Sequence, residues 1–416
     1  MRINVIPFAV VLSCAALLAA QQQSEPVPTA PPTSERGEGQ RGRGARGIQI
    51  QSGEECPPGT TEIRVRTCLA PGLPPPSIVD YRPRSTLVTA AHPVPRAKFP
   101  AIDFHGHPQM RLASAKTLAD LAAALDQLNV RLMVDADNLS GTRLQEALAV
   151  VRGGPHANRV AMLAGVDFRN VGPGWAEKAV RQLEADIKAG AVGVGEIPKT
   201  LGLTLKKADG SRLAIDDPDL DPVWDACARL NLPVFIHTAD PQEFFAPIDD
   251  HNERWLELAL FPERRYPPGA FPSFEQLMSE RDRLFRKHPA TRFVAAHMGW
   301  HANDLARLAR MLDAFHNVST EVGAVLYDIG RQPRAAHDFF VKYQDRILFG
   351  KDAFQPEEYP YYWRVFETRD ESFDYYRQYH AFWKLYGIDL PDTVLKKVYY
   401  RNALKLTPAL PQSGWP

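Results

Sequence analysis

The chain has 416 residues, with 49 Lys plus Arg against 49 Asp plus Glu, so its formal net charge at neutral pH is zero. That balance leaves no electrostatic footprint for nucleic-acid binding. Beyond the first 20 residues no apolar stretch is long enough to span a membrane, so no membrane span is expected.

Residues 1–20 carry one Arg, then an apolar run from Val5 to Ala20 broken only by Pro7 and Ser13. This is the layout of a secretory signal peptide, with Ala19 and Ala20 before the polar Gln21-Gln22-Gln23. A second reading makes Cys14, after Val11-Leu12-Ser13, an acylated lipoprotein cysteine; the apolar residues behind it weaken that reading. Residues 21–47 are rich in Gln, Pro, Gly, Ser and Arg without apolar periodicity and read as a disordered linker. The expected location is therefore exported, periplasmic or secreted.

Residues 48–98 read as an N-terminal extension. Cys56 and Cys68 flank Pro57-Pro58-Gly59 and the alternating Ile63 and Val65. In an oxidising compartment this suggests a hairpin clasped by a disulfide, with two free thiols as the alternative.

From residue 99 to 408 the pattern is of short apolar strands separated by helical stretches. Ile102 to Pro108 reads as a strand ending in His-x-His. Side chains two apart on a strand share a face, so His105 and His107 present two imidazoles side by side, half of a zinc-type site. Leu118, Leu121, Leu125 and Leu128 then repeat at helical spacing. Val130–Asp135, Arg159–Val166 and Ala191–Glu196 follow as strands, with Trp175 to Ala189 helical between the last two. Leu232 to His237 and Arg292 to His297 are apolar runs that each end in His. After a helix over Asp304 to Phe315, Asn317 to Val322 is the seventh strand, and Arg346 to Asp352 ends in a carboxylate. Eight strands in this alternation predict an α/β fold, a (β/α)8 TIM barrel with an N-terminal extension, whose reactive residues sit at the C-terminal strand ends. Tyr375 to Gly387 and Thr393 to Leu406 read as further helices.

Four segments in this order, IDFHGH (102–107), PVFIHTADP (233–241), FVAAHMG (293–299) and ILFGKDAF (347–354), resemble the amidohydrolase-related branch of the metal-dependent amidohydrolase superfamily. That branch contains aminocarboxymuconate-semialdehyde decarboxylase and the resorcylate decarboxylases. The resemblance covers roughly Phe99 to Pro408. It implies that His105, His107, His237 and Asp352 hold one divalent metal, and that His297 acts on the substrate or on the water the metal activates. Zn²⁺ suits the imidazole-rich set, with Mn²⁺ or Fe²⁺ as alternatives. Lys351, where relatives carry a small or hydroxyl residue, should by alternation point away from the barrel axis. Glu196 ends the strand on which two-metal relatives carry a bridging residue; pairing with Lys199 or a nearby Arg is the preferred reading, a bridge to a second metal the alternative.

The loops after the ligand strands should shape the substrate pocket. Arg254, Trp300, Arg331 and Phe354 are candidates there, since arginines beside aromatics suit a small carboxylated or aromatic ligand. The same aromatics would equally cover the barrel or form a subunit interface, which leaves a homo-oligomer open.

The function expected is that of an exported metal-dependent hydrolase, acting on an amide, lactone or ester bond of a small organic substrate through a metal-activated water. Non-oxidative decarboxylation of an aromatic or unsaturated carboxylic acid would use the same residues. An exported, non-catalytic metal-binding or surface protein is the alternative of another class.

Overall fold

The structure, a computed structural model, describes residues 47–380 and 382–416. The signal peptide over 1–20 and all but the last residue of the 21–47 linker lie outside the described residues. The chain divides into two compact units, one ending at Thr86 and one running from Leu87 to Pro416.

In the first unit, strands β1 (Ile48–Gln49), β2 (Thr61–Arg64) and β3 (Thr67–Leu69) form an antiparallel sheet in the order β1-β3-β2. Cys68, buried on β3, is disulfide-bonded to Cys56. The clasped hairpin is therefore present, and β1 adds a strand too short to show a period in the sequence. Peptide mapping of the protein made in an oxidising compartment should recover the Cys56 and Cys68 peptides linked. Reduction should destabilise this unit by about 2–4 kcal/mol. Free thiols at both positions would contradict the assignment.

The second unit is the (β/α)8 barrel. Its strands are β4 (Ala101–His107), β5 (Val130–Asp135), β6 (Val160–Ala164), β7 (Gly193–Ile197), β8 (Pro233–Ile236), β9 (Arg292–Ala295), β10 (Val318–Glu321), β11 (Ile347–Leu348) and β12 (Asp352–Ala353). All pairings are parallel, in the order β11-β10-β9-β8-β7-β6-β5-β4-β12. The two terminal members of that order are segments of one strand separated only by Phe349 to Lys351, and the Phe104 amide donates to the Phe349 carbonyl at 3.0 Å. The sheet thus closes into a ring, which removes its free edges.

The strands are apolar on both faces because the barrel interior and the helix layer both cover them. β4 is buried from Ala101 to Gly106, with Phe104 at its centre. The helix Ala115–Leu128 turns Leu118, Leu121, Leu125 and Leu128 inward, the stripe its spacing predicts. Ser114 caps its start, and Asn129 at φ 60° ends it. Trp175–Ala189 is helical over the residues expected, and Leu305–Ala314 starts at Asp304, whose carboxylate accepts from the Arg307 amide.

Two expectations are corrected. The eighth strand is broken at 349–351, because the Phe349 amide donates to the Val398 carbonyl and the Lys351 amide to the Asp103 carboxylate, which takes both out of the ladder. The described residues of 375–387 form no helix. Phe373 and Leu385 exchange backbone hydrogen bonds there, and the rings of Tyr375, His380 and Trp383 pack on Tyr327 instead of forming a helical stripe. Thr393 to Leu406 is helical, with a π-helical turn at Lys397–Arg401. Among the described residues no helix is long and apolar enough to cross a membrane.

Candidate metal centre

The C-terminal ends of β4, β7, β8, β9 and the eighth strand converge. His105 Nε2 lies 3.1 Å from His107 Nε2. Glu196, on β7, reaches both, with Oε1 3.4 Å from His105 Nε2 and Oε2 3.3 Å from His107 Nε2. Its Oε1 is also 2.8 Å from His237 Nδ1. Asp352 Oδ1 lies 3.6 Å from His107 Nε2 and 3.9 Å from His105 Nε2. Among the described residues two overlapping groups could hold a metal ion: His105, Glu196 and His297, and His105, His107 and Asp352.

The outward nitrogens of the His pair are also engaged. His105 Nδ1 faces Glu321 Oε1 at 3.1 Å, and His107 Nδ1 faces Asp137 Oδ1 at 2.8 Å. In the neutral tautomers with each Nδ1–H donating to its carboxylate, both Nε2 atoms would carry bare lone pairs that point at one another and at carboxylate oxygens. Such a set requires positive charge at its centre, and Nδ1–carboxylate bonds of this kind orient metal-ligating histidines. The donor set therefore fits a divalent cation.

The electrostatics agree. Burial opposes protonation of His107, but Asp137 and Glu196 outweigh it and raise the pKa to about 9. His237 is likewise raised to about 9, against burial, by Glu196 and Asp240. Glu196, despite burial, is held well below the ordinary carboxylate range by His105 and His237. The field of the carboxylates thus draws cations, protons included.

Close backbone approach makes this possible. Gly195 has φ 130°, and a Cβ there would come within 2.4 Å of the Phe235 carbonyl oxygen. At Gly350 a Cβ would lie 2.4 Å from Glu321 Oε2 and 2.8 Å from the His105 Cβ. Only glycine lets the eighth strand pass this close to the His105–Glu321 pair.

His297 sits in a left-handed turn, with φ 57° at His297, 52° at Met298 and 54° at Trp300. For non-glycine residues this costs about 1–2 kcal/mol each. Two bonds hold it: the His297 amide donates to Glu321 Oε1 at 2.6 Å, and the Trp300 indole donates to the Ala239 carbonyl at 3.1 Å. The His297 Nδ1–H donates to the Gly323 carbonyl at 2.8 Å. Burial, then the charges of His237 and His105, push its pKa down to about 4, so the ring stays neutral with Nε2 as an acceptor.

The remaining candidates separate. The Trp300 ring lies 4.5 Å from His297 and 5.8 Å from His237, centroid to centroid. Phe354 lines a cavity of 460 Å³ that opens on His107. Arg254 is buried and bonded to Glu257 and His380, and Arg331 to Glu253 and Asp328; neither lines that cavity. Lys351 is buried against Glu358. Lys199 pairs with Asp240 at 2.6 Å, so the preferred pairing of Glu196 with Lys199 is corrected: Glu196 is left to the imidazoles. His301 is buried against Arg281.

Glu321, Asp137 and Asp240 escaped the sequence reading. Glu321 does end the seventh strand, as the others end theirs, but a lone carboxylate in Val-Ser-Thr-Glu-Val carries no spacing signal. Asp137 lies just past the end of β5, where only a fold shows what it faces.

The sequence model of a family described as Amidohydrolase matches residues 102–408. No curated protein matches the chain significantly. Among solved structures, 4-oxalomesaconate hydratase from Rhodopseudomonas palustris is 14% identical, with TM-score 0.47 and coverage of 74% of this chain and 96% of that one. An uncharacterized TIM-barrel protein from Bordetella bronchiseptica is 14% identical, with TM-score 0.45 and coverage of 74% and 99%. Dihydroorotase from Campylobacter jejuni is 12% identical, with TM-score 0.42 and coverage of 75% and 85%. Likenesses at these scores carry no argument about chemistry.

Proposed function

Because the chain belongs to the amidohydrolase family over residues 102–408, we propose that it is a metal-dependent hydrolase acting on an amide, lactone or ester bond of a small organic substrate. The observation that carries this reading is the His105–His107 pair, two Nε2 atoms 3.1 Å apart whose Nδ1 atoms are both turned to carboxylates. The proposed ligands are His105, His107, His237 and Asp352, with Glu196 added to them by its distances to the imidazoles. When bound, a divalent cation there, with Zn²⁺ preferred and Mn²⁺ or Fe²⁺ as alternatives, lowers the pKa of a water and polarises a substrate carbonyl.

The chain's own groups divide the proton work. His297 is neutral, and its Nδ1–H is committed to the Gly323 carbonyl. Its free Nε2 therefore accepts a hydrogen bond from the attacking water and orients it; it has no proton with which to polarise a carbonyl. Burial raises the pKa of Asp352, but the charge of His105 pulls it below the ordinary value, so the carboxylate is ionised. Asp352 takes the proton as the water attacks and returns it to the leaving group. The Trp300 ring packs against His297 and His237 and keeps bulk water from their faces.

We also infer export, which rests on the signal-like residues 1–20 and on a disulfide that suits an oxidising compartment. The decisive experiment is a metal-replete activity screen over amides, lactones, esters and aromatic carboxylic acids. Hydrolysis that chelation abolishes supports the reading. Release of carbon dioxide from an aromatic acid alone would replace it with decarboxylation, and metal binding without any turnover would make this a binding protein.

One cation per chain is expected, since both candidate groups share His105. Elemental analysis should give one equivalent in the wild type and a weakened occupancy in Glu196→Gln. Two equivalents in the wild type, one of them lost in Glu196→Gln, would make Glu196 a bridge between two metals.

A further inference from the structure

The cavity that opens on His107 has a cation on its wall that the chemistry above does not use. It measures 460 Å³, within the range of small-molecule sites, and is lined by His107, Arg111, Asp120, Ala353 and Phe354 among others. Arg111 is exposed, and its guanidinium carbon lies 4.9 Å from the centroid of the Phe354 ring. Phe354 itself is buried, so the ring is a fixed platform that orients the guanidinium. Among the described residues no carboxylate pairs with Arg111. The carboxylate that shares the wall, Asp120, is neutralised by Lys116 at 2.9 Å. Met110, 78% exposed, adds an apolar rim beside it.

We propose that Arg111, stacked on Phe354, is the specificity-determining residue of this enzyme and selects substrates that carry a carboxylate on an apolar body. The inference deepens the hydrolase reading and rests on it for the position of the reacting bond at the His107 end of the cavity. The reasons are physical. A guanidinium offers a planar fork of donors that matches a carboxylate, and one left without an internal partner at a cavity wall presents that fork outward. Phe354 and Met110 supply apolar surface for the rest of the molecule, and Ala353 joins this wall directly to Asp352. Arg254 and Arg331 are both engaged by internal carboxylates, so neither offers a fork to this cavity.

The test uses the full chain and a charged and neutral pair of probes, 3-phenylpropionate and 3-phenylpropionamide, titrated by calorimetry into metal-loaded and metal-stripped protein. The readout is the preference for carboxylate over amide. In the wild type that preference should be present in both forms. In Arg111→Gln it should fall about tenfold in both, while Arg111→Lys should keep part of it as a point charge without the fork. Arg111 is exposed, so neither variant threatens folding. An unchanged preference in Arg111→Gln overturns the proposal. So does a wild-type preference that vanishes on stripping, since the carboxylate would then be held by the cation; the hydrolase reading would survive that result. Conversely, an Arg111-dependent preference in a protein that takes up no metal would uphold the carboxylate subsite and sink the hydrolase reading.

Discussion

Replacing His105 with Asn should empty the metal centre and reduce turnover to background. His105 belongs to both groups able to hold an ion, is buried, and is oriented by Glu321 at 3.1 Å. Removing a group that merely orients a ligand typically weakens metal binding about 10–100-fold, and removing the ligand itself should exceed that. His237→Asn should do the same, because its Nδ1 is bonded to Glu196 at 2.8 Å and its buried Nε2 has no hydrogen-bond partner among the described residues. Both variants leave the apolar core untouched, so cooperative unfolding should persist and separate metal loss from misfolding. Elemental analysis after gel filtration, set beside the rate on whichever substrate the screen identifies, checks the expectation. A His105→Asn protein that kept its full metal would remove the proposed ligand set.

Replacing His297 with Asn should have the opposite pattern: metal content near that of the wild type and a kcat lower by about 10²–10⁴-fold. Its Nδ1 is committed to the Gly323 carbonyl, and its neutral Nε2 is the acceptor proposed for the attacking water. Asn preserves a polar group of smaller reach and tolerates the left-handed backbone at this position, φ 57°, better than most residues. The turn itself should hold, because Glu321 binds the backbone amide and not the ring. Loss of metal in this variant would make His297 a ligand, in line with its grouping with His105 and Glu196. Retention of full activity would remove His297 from the chemistry and leave the orientation of the water to other groups.

Much of the architecture was legible in the amino-acid order. Parallel strands buried on both faces are short continuous apolar runs, and the runs ending at Asp135, His237 and His297 stand out because turn residues or helical stripes bound them. Period two put His105 and His107 on one face of β4, and the closing His, His and Asp marked the strand ends that meet at the candidate site. The cysteine pair was legible for a similar reason, since twelve residues with a turn between them allow one local closure.

The tertiary structure decided what each of those residues faces. Sequence spacing assigns Glu196 a place at a strand end but not a partner, and it was the register between β7 and β8 that turned it to three imidazoles and gave Lys199 to Asp240. Glu321 and Asp137 became the groups behind His105 and His107 only when the strands folded into the ring. The left-handed turn at His297 is set by bonds from Glu321 and Ala239, both distant in sequence, and no local propensity announces it. Hydrophobic burial is nearly non-directional and follows local periodicity, so the barrel is readable from short windows of sequence. Charge and hydrogen-bond complementarity is directional and falls off within a few ångströms, so it is settled only where closure of the ring sets the distances.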